Sequence, residues 1–332
     1  MGQYIISYID AHVAGEPMRI ITGGPKLKGS TIIEKTEYMK KNYDFIRSAA
    51  MLEPRGHADM YGAVLTEPTD PRADLGVIFI DTALYNNMCG HGSIAIGTVA
   101  VETGMVQPQE PVTNVVLETG AGLVTIQVNV KDGRAMDATL EGVPSFLYKA
   151  DLSVNVLGKA IVADIVYGGN FFAMVDIKQL GLSHSKEHLQ DYITYGTAIR
   201  DYVNQNIEMC HPEKPHINKV DDILFVGDPE YPGDTYKSLV FLGKAQIDRS
   251  PCGTGTCARM GAMYNRGLLN KNEIFYHESI VGTIFEGRIG DEVKTGEYPS
   301  IIPYVKSQAF IINMGHLMID SKDPLKEGFS MR

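Results

Sequence analysis

Two cysteines of this chain stand in segments that read alike. Cys89-Gly90-His91-Gly92-Ser93-Ile94-Ala95 runs on to Gly104, and Cys252-Gly253-Thr254-Gly255-Thr256-Cys257-Ala258 runs on to Gly267. Aligned on the cysteines, glycine recurs at the first, third and fifteenth following positions, alanine at the sixth, and a hydroxyl residue (Ser93 or Thr256) at the fourth. A thiolate accepts a proton and a thiol returns one. Two equivalent sulfurs therefore suit inversion at a carbon. One thiolate takes the α-proton of an amino acid from one face, and a thiol delivers a proton to the other. Such a pair titrates together, with one member protonated and one not, and starting from the other enantiomer exchanges their roles. Backbone N–H groups aimed at the substrate carboxylate would disperse the charge that develops during proton removal. Neither a metal nor an organic cofactor is required by this chemistry.

The surrounding pattern says how the sulfurs are held. Leu75–Ile80 before the first cysteine and Ser238–Leu242 before the second are short apolar runs that read as buried strands. Ser93–Glu102 and Thr256–Asn265 are helix-compatible, and Gly104 and Gly267 stand where left-handed helix caps belong. Both cysteines are thus expected on loops that feed helix N-termini. There, unpaired N–H groups and about half a positive charge favour a thiolate or a bound carboxylate. The glycines at the first and third positions permit close backbone approach. One Cys-Gly-x-Gly segment would read as an ordinary turn; the matched pair, almost half a chain length apart, points to a duplicated domain and a shared task.

The rest of the composition narrows the setting. A chain of 332 residues, 44% apolar and 21% charged, has material for about two globular domains. Its net charge of −10 and the lack of a Lys/Arg-rich run argue against nucleic acid and anionic membranes as partners. Apolar stretches such as Ile94–Val101 fall well short of the ~20 residues that span a bilayer, and the Met1–Ile6 segment has no basic run of the kind that opens a signal peptide. A cytoplasmic location is expected. Four cysteines are too few for a disulfide scaffold, and Cys210, outside any glycine-rich segment, is expected to be a buried structural residue. His91 and Asp248, in Asp248-Arg249-Ser250-Pro251-Cys252, could each accept a hydrogen bond from a substrate ammonium. Glu53-Pro54-Arg55-Gly56-His57 reads mainly as scaffold around an anchored arginine. His12 and Glu16, with Pro17 following, and the histidines at 184, 188, 211 and 216 show no metal-ligand spacing. Ser183–Asn206 reads as a solvent-facing amphipathic helix pair.

Met88-Cys89-Gly90-His91-Gly92 and the segment from Asp248 to Thr256 resemble the paired signatures of the proline racemase family, which includes hydroxyproline 2-epimerases and a hydroxyproline dehydratase branch. Gly15-Glu16-Pro17, Glu53–His57, Gly168-Gly169-Asn170-Phe171-Phe172 and Asp323-Pro324-Leu325 extend the similarity along nearly the whole chain. The resemblance implies an α+β, diaminopimelate-epimerase-like fold of two pseudo-symmetric lobes, each a curved sheet wrapped round a central helix, with the active site in the inter-lobe cleft. Residues 1–143 with 309–332 would form the first lobe and 144–308 the second. It implies Cys89 and Cys252 as the two bases, and Gly90, His91, Gly92, Gly253 and Thr254 around the carboxylate. His91 and Asp248 would lie near the substrate nitrogen, and the protein would be a homodimer. Dehydratases of this family typically replace one cysteine by a hydroxyl residue, so the retention of both favours stereoinversion.

Three departures bear on the substrate. Leu242 stands where a ring-packing Phe is usual, Cys257 where Ser is common, and Asp222 at a pocket position that is usually apolar or Cys. Cys257, five residues beyond Cys252, should point off the catalytic face. Asp222 reads either as a solvated loop carboxylate or, with the room left by Leu242, as a polar acceptor in the ring pocket. The leading expectation is a cofactor-independent proline racemase acting on proline or a proline-like imino acid. A 4-hydroxyproline 2-epimerase, or a racemase of another amino acid with a polar side group, is the alternative within this chemistry. A non-catalytic amino-acid-binding protein is the alternative outside it, and thiol redox chemistry between Cys252 and Cys257 is disfavoured by their helical spacing.

Overall fold

The computed structural model describes residues 3–229, 235–243 and 245–331. The chain divides into two compact units, Met1–Leu140 with Gln308–Arg332, and Glu141–Ser307. In the first unit, β1 (Tyr4–Val13) pairs antiparallel with β2 (Glu16–Gly23) and with the C-terminal strand β18 (Ala309–Ile319). Strand β2 pairs parallel with β3 (Tyr61–Thr66), and helix α1 (Ile32–Met51) makes the crossover that a parallel pair needs. Strand β3 pairs antiparallel with β4 (Leu75–Asp81). Strand β4 pairs antiparallel with the short β5 (Tyr85–Asn86) and parallel with β6 (Val112–Thr119), across helix α2 (Gly90–Glu102). Strands β7 (Gly122–Lys131), antiparallel to β6, and β8 (Arg134–Glu141) follow.

The second unit repeats this plan. Strand β9 (Phe146–Val156) pairs antiparallel with β10 (Lys159–Tyr167), and β10 with β11 (Phe171–Asp176). Strand β11 runs parallel to β12 (Val220–Gly227) across helix α3 (Leu189–Asn206). Strand β13 (Tyr236–Leu242) is antiparallel to β12 and to the short β14 (Gln246–Ile247), and parallel to β15 (Phe275–Glu278) across helix α4 (Gly253–Asn265). Strands β16 (Ile284–Thr295) and β17 (Tyr298–Ser307) close the series as antiparallel neighbours.

Helices α2 and α4 occupy the interior of their units. Every residue of α2 except Glu102 is buried, as is all of α4 from Gly253 to Met263. A helix that is buried on every side is a core helix, not an amphipathic surface one. Small residues let the sheets close on these helices. A Cβ on Gly97 would lie 2.6 Å from Ile126, and one on Gly168 would lie 2.4 Å from both the Thr254 carbonyl and the Ala258 nitrogen. The Gly168–Phe172 motif is thus the wall against which the first turns of α4 rest. Gly104 and Gly267 have φ of +73° and +70°, as left-handed caps require.

Three expectations are corrected. Both core helices begin three residues earlier than the sequence suggests, because the cysteine itself is the N-cap. Ser183–Asn206 holds one helix preceded by a short 3-10 turn instead of a helix pair; α3 is amphipathic as expected, burying Tyr192, Gly196, Ile199 and Val203 on one stripe. Cys210 is exposed, not buried, because it lies in the irregular segment between α3 and β12, where no element covers it. Glu53–His57 is scaffold: Arg55 bridges to Asp323 at 2.9 Å and donates to the carbonyl of Met318, while its own carbonyl accepts from buried Arg19. Among the described residues, no helix is long and apolar enough to cross a membrane.

Candidate active site

Cys89 and Cys252 cap their helices in the same way. Each Sγ accepts the backbone N–H of the third following residue, Gly92 or Gly255, at 3.3 Å. Each cysteine carbonyl accepts the hydroxyl of the fourth following residue, Ser93 Oγ at 2.7 Å or Thr256 Oγ1 at 2.6 Å. This assigns two of the matched positions. The hydroxyl ties the turn shut, and the glycine makes room for sulfur. A Cβ on Gly92 would come within 3.0 Å of Cys89 Sγ, and one on Gly255 within 3.2 Å of Cys252 Sγ. Both cysteines are buried, at 5% and 7% exposure, so each sulfur meets at most a sliver of solvent.

The second following residue distinguishes the two turns. In the first unit it is His91, whose Nδ1 lies 3.3 Å from Cys89 Sγ and whose ring meets Tyr61 edge-on at 5.2 Å. An imidazole in contact with a thiol is a partner with which a proton can be exchanged. In the second unit it is Thr254, with Oγ1 3.5 Å from Cys252 Sγ. The backbones differ too. Cys89 has φ −139°, whereas Cys252 has φ +66°, a conformation that costs a non-glycine residue about 1–3 kcal/mol and persists only where its surroundings enforce it.

Electrostatics make Cys252 a thiol. Burial, and then the nearby Asp248 and Asp222 carboxylates, push its pKa well above the ordinary value, against the Thr254 hydroxyl and the Gly255 N–H. At this site the helix N-terminus is outweighed. Asp248 is 1% exposed and accepts the Ser250 N–H at 2.7 Å; Ser250 Oγ in turn accepts the Cys252 N–H at 3.0 Å. Asp222 is a buried strand residue of β12, in register with Phe172 of β11, so its reading as a solvated loop carboxylate is overturned. Leu242 is buried at the end of β13, paired with Gln246. Cys257 is wholly buried with its thiol pushed up to about 12 by burial, and it packs beside Gly142. Gly90 and Gly253 are the first residues of the two helices.

Within the second unit the structure thus brings Asp222, Asp248, Cys252, Gly253 and Thr254 together; within the first it groups Cys89, Gly90, His91 and Gly92. It also reveals residues that the sequence reading did not single out, Ser250, Arg259 and His277. A visible signal for Arg259 was its place amid Cys257-Ala258 and Met260-Gly261 in an otherwise uncharged helix. Among the described residues, no group of three or more His, Cys, Asp or Glu side chains is placed to hold a metal ion.

Residues 8–330 match the profile of the family described as "Proline racemase". The chain belongs to the proline racemase family. It is an enzyme of that family, an amino-acid isomerase. It is 45% identical over 329 residues to the proline racemase of Acetoanaerobium sticklandii, covering 98% of each chain. To the trans-3-hydroxy-L-proline dehydratase of Burkholderia ambifaria it is 38% identical, again over 98% of each chain. Among solved structures it resembles a hydroxyproline epimerase from Agrobacterium vitis with bound trans-4-hydroxy-L-proline. The TM-score is 0.94 and the identity 30%, covering 100% of this chain and 96% of the other. The proline racemase family thus contains more than one outcome at the α-carbon of a pyrrolidine ring.

Proposed function

We propose that this enzyme inverts the α-carbon of proline or a proline-like imino acid by a two-base mechanism, with Cys89 and Cys252 as the bases and no cofactor. The observation that carries this reading is the identity of the two cysteine caps, down to the amide at the third position and the hydroxyl at the fourth. In the mechanism, Cys89, with His91 against its sulfur, takes the α-proton of one enantiomer. Cys252, held as a thiol by burial and two carboxylates, delivers a proton to the other face. The reverse direction exchanges the roles. The N–H groups of Gly90, His91, Gly253 and Thr254 in the first helical turns stabilise the substrate carboxylate as it takes on enediolate character. Asp248 faces the substrate's cationic nitrogen. That cation also screens the carboxylates that hold the Cys252 proton, so substrate binding brings the thiol towards the ambient pH where proton transfer is most efficient.

Asp222 favours a second reading of the substrate. It is buried, and its charge acts on Cys252, so a polar acceptor near the ring and the smaller Leu242 suit a hydroxylated ring or another polar side group. The relative with bound trans-4-hydroxy-L-proline supports the same direction. Retention of both cysteines supports inversion over dehydration.

The deciding experiment is a racemisation assay in deuterated water over proline, both 4-hydroxyproline epimers and ornithine. Incorporation of one deuterium into the product enantiomer is expected. Binding without exchange for every substrate would identify an amino-acid-binding protein instead. A wide preference for proline that Asp222→Leu leaves untouched would remove the polar-pocket reading.

A homodimer is part of the proposal. It is supported by the exposed apolar side chains along β18, Phe310, Ile312, Met314 and Met318, some of which a second copy of the chain would cover.

A further inference from the structure

The strained Cys252 turn has a polar chain behind it. Arg259, seven residues along α4, is 2% exposed, and its guanidinium lies 5.0 Å over the Tyr236 ring. It donates to the carbonyls of Lys237 and Gly227 at 2.8 and 3.1 Å, to the Asp228 carboxylate at 3.0 Å, and to Nε2 of His277 at 3.3 Å. A guanidinium can only donate, so Nε2 of His277 is an acceptor. The imidazole, wholly buried and facing both Arg259 and His184, is held neutral. Its one proton is therefore on Nδ1 and is donated to Thr256 Oγ1 at 2.8 Å. Thr256 then gives its own hydrogen to the Cys252 carbonyl at 2.6 Å. Every direction in the chain is fixed, from a buried cation to the cysteine carbonyl. On the other side the Cys252 N–H is held by Ser250, itself held by Asp248.

The first unit is a built-in control. Its position seven residues beyond Cys89 is Ile96. Its counterpart of the Tyr236–His277 register pair is Leu75–Leu117, each followed by a pair whose second member is a glutamate, Glu118 or Glu278. Ile96 and Leu117 are both buried. The same helix and sheet are thus built with apolar side chains at these positions. Burying an arginine and a histidine carries a desolvation cost that a hydrophobic pair avoids, and the polar chain occurs behind the cysteine with φ +66°, not behind the one with φ −139°.

We propose that Arg259, His277 and Thr256 are positioning residues that hold the Cys252 turn in its strained conformation and so keep its sulfur set for proton transfer. The inference rests on the two-base reading for its catalytic meaning, but not for its test. The groups facing the Cys252 thiol are Asp248, Asp222, Thr254 and the Gly255 amide. Relaxation of the turn would take the sulfur off the last two and leave the carboxylates, raising the thiol pKa further.

The test compares the parent enzyme with Thr256→Val, Thr256→Ser and His277→Leu. Iodoacetamide alkylation of Cys89 and Cys252 is followed separately by peptide mass spectrometry across pH, alongside kcat and KM. Thr256→Val and His277→Leu should move the Cys252 profile to higher pH by about one unit, a roughly tenfold slower reaction at a given pH below it. The Cys89 profile should stay in place, kcat should fall more than KM changes, and Thr256→Ser should behave like the parent, as Ser93 does in the first unit. An unmoved Cys252 profile in the folded Thr256→Val protein would overturn the proposal. So would equal shifts at both cysteines, a Thr256→Ser protein as impaired as Thr256→Val, or a Cys252 that does not react in the parent. Nitrogen NMR of labelled histidine supplies a variant-free arm: His277 protonated on Nε2 would break the chain at its first link. Absence of α-proton exchange in the parent, with the alkylation pattern as expected, would count against the racemase reading alone.

Discussion

At the scale of single residues, the chemistry turns on what surrounds each sulfur. Cys252 is kept protonated by burial and by Asp248 and Asp222. Removing either negative charge favours the thiolate, so Asp248→Asn should shift the Cys252 alkylation profile to lower pH while weakening substrate binding. Site-resolved alkylation and KM measure the two effects; a shift to higher pH would show that the carboxylate does not act on the thiol as a charge. Cys89→Ser and Cys252→Ser should each reduce inversion by several orders of magnitude, because a serine hydroxyl is a far weaker acid than a thiol and fails as a proton-transfer group at neutral pH. The check is racemisation followed by polarimetry, with elimination from a halogenated substrate analogue as a half-reaction that either variant can retain.

Elements supply what single residues cannot, namely a helix start that accepts sulfur as its cap. The amide of the third residue reaches Sγ with no side chain on that residue to crowd the sulfur. Gly255→Ala would place a methyl carbon at 3.2 Å from Cys252 Sγ, an approach that a small displacement of the sulfur relieves. Its expected signature is a loss of kcat with little loss of stability. Gly168→Ala is different in kind. Its new carbon would meet the backbone of Thr254 and Ala258 at 2.4 Å, and backbone within a buried helix does not give way. Overpacking of this sort costs about 1–3 kcal/mol or more, so thermal unfolding should show a lowered midpoint, and activity should fall as α4 is pushed from its seat. A Gly168→Ala protein with unchanged stability and kcat would mean that α4 is not seated against this strand connection.

For the molecule as a whole, the repeat of pairings from β2 to β7 and from β11 to β16 makes the two units versions of one plan, each with a buried helix capped by cysteine. If both cysteines serve one substrate, a planar mimic of the carbanion, pyrrole-2-carboxylate, should protect Cys89 and Cys252 alike from alkylation; protection of just one would separate their functions. The buried histidines add a pH-dependent contribution to the stability of the fold. Burial holds His211, packed on Tyr167 at 4.5 Å, down to about pKa 4, below the ~6.5 of an exposed imidazole. A depressed histidine pKa means that the unfolded chain takes up protons first as pH falls. Stability contributed by neutral His211 is therefore full above about 6.5 and is lost as pH drops towards about 4. Thermal unfolding across that interval should show a falling midpoint, with a shallower slope in His211→Asn; an unchanged slope would place the acid sensitivity elsewhere.

The sequence by itself determined the duplication, the two matched cysteine segments, the strands before them, the helices after them and the family, because all of these are carried by local spacing that survives without coordinates. It could not decide whether Asp222 was solvated, since exposure of a strand residue depends on the neighbours across the sheet. It misplaced Cys210 because the tendency of free thiols to be buried says nothing about a segment that no element covers. Nor could it find the link from Arg259 through His277 to Cys252, whose members come from a helix and from a strand that meets it only on folding. Sequence spacing fixes which side chains one helix or strand presents; burial, and with it thiol acidity and imidazole protonation, is set by chain segments distant in sequence. The tertiary structure alone made that decision.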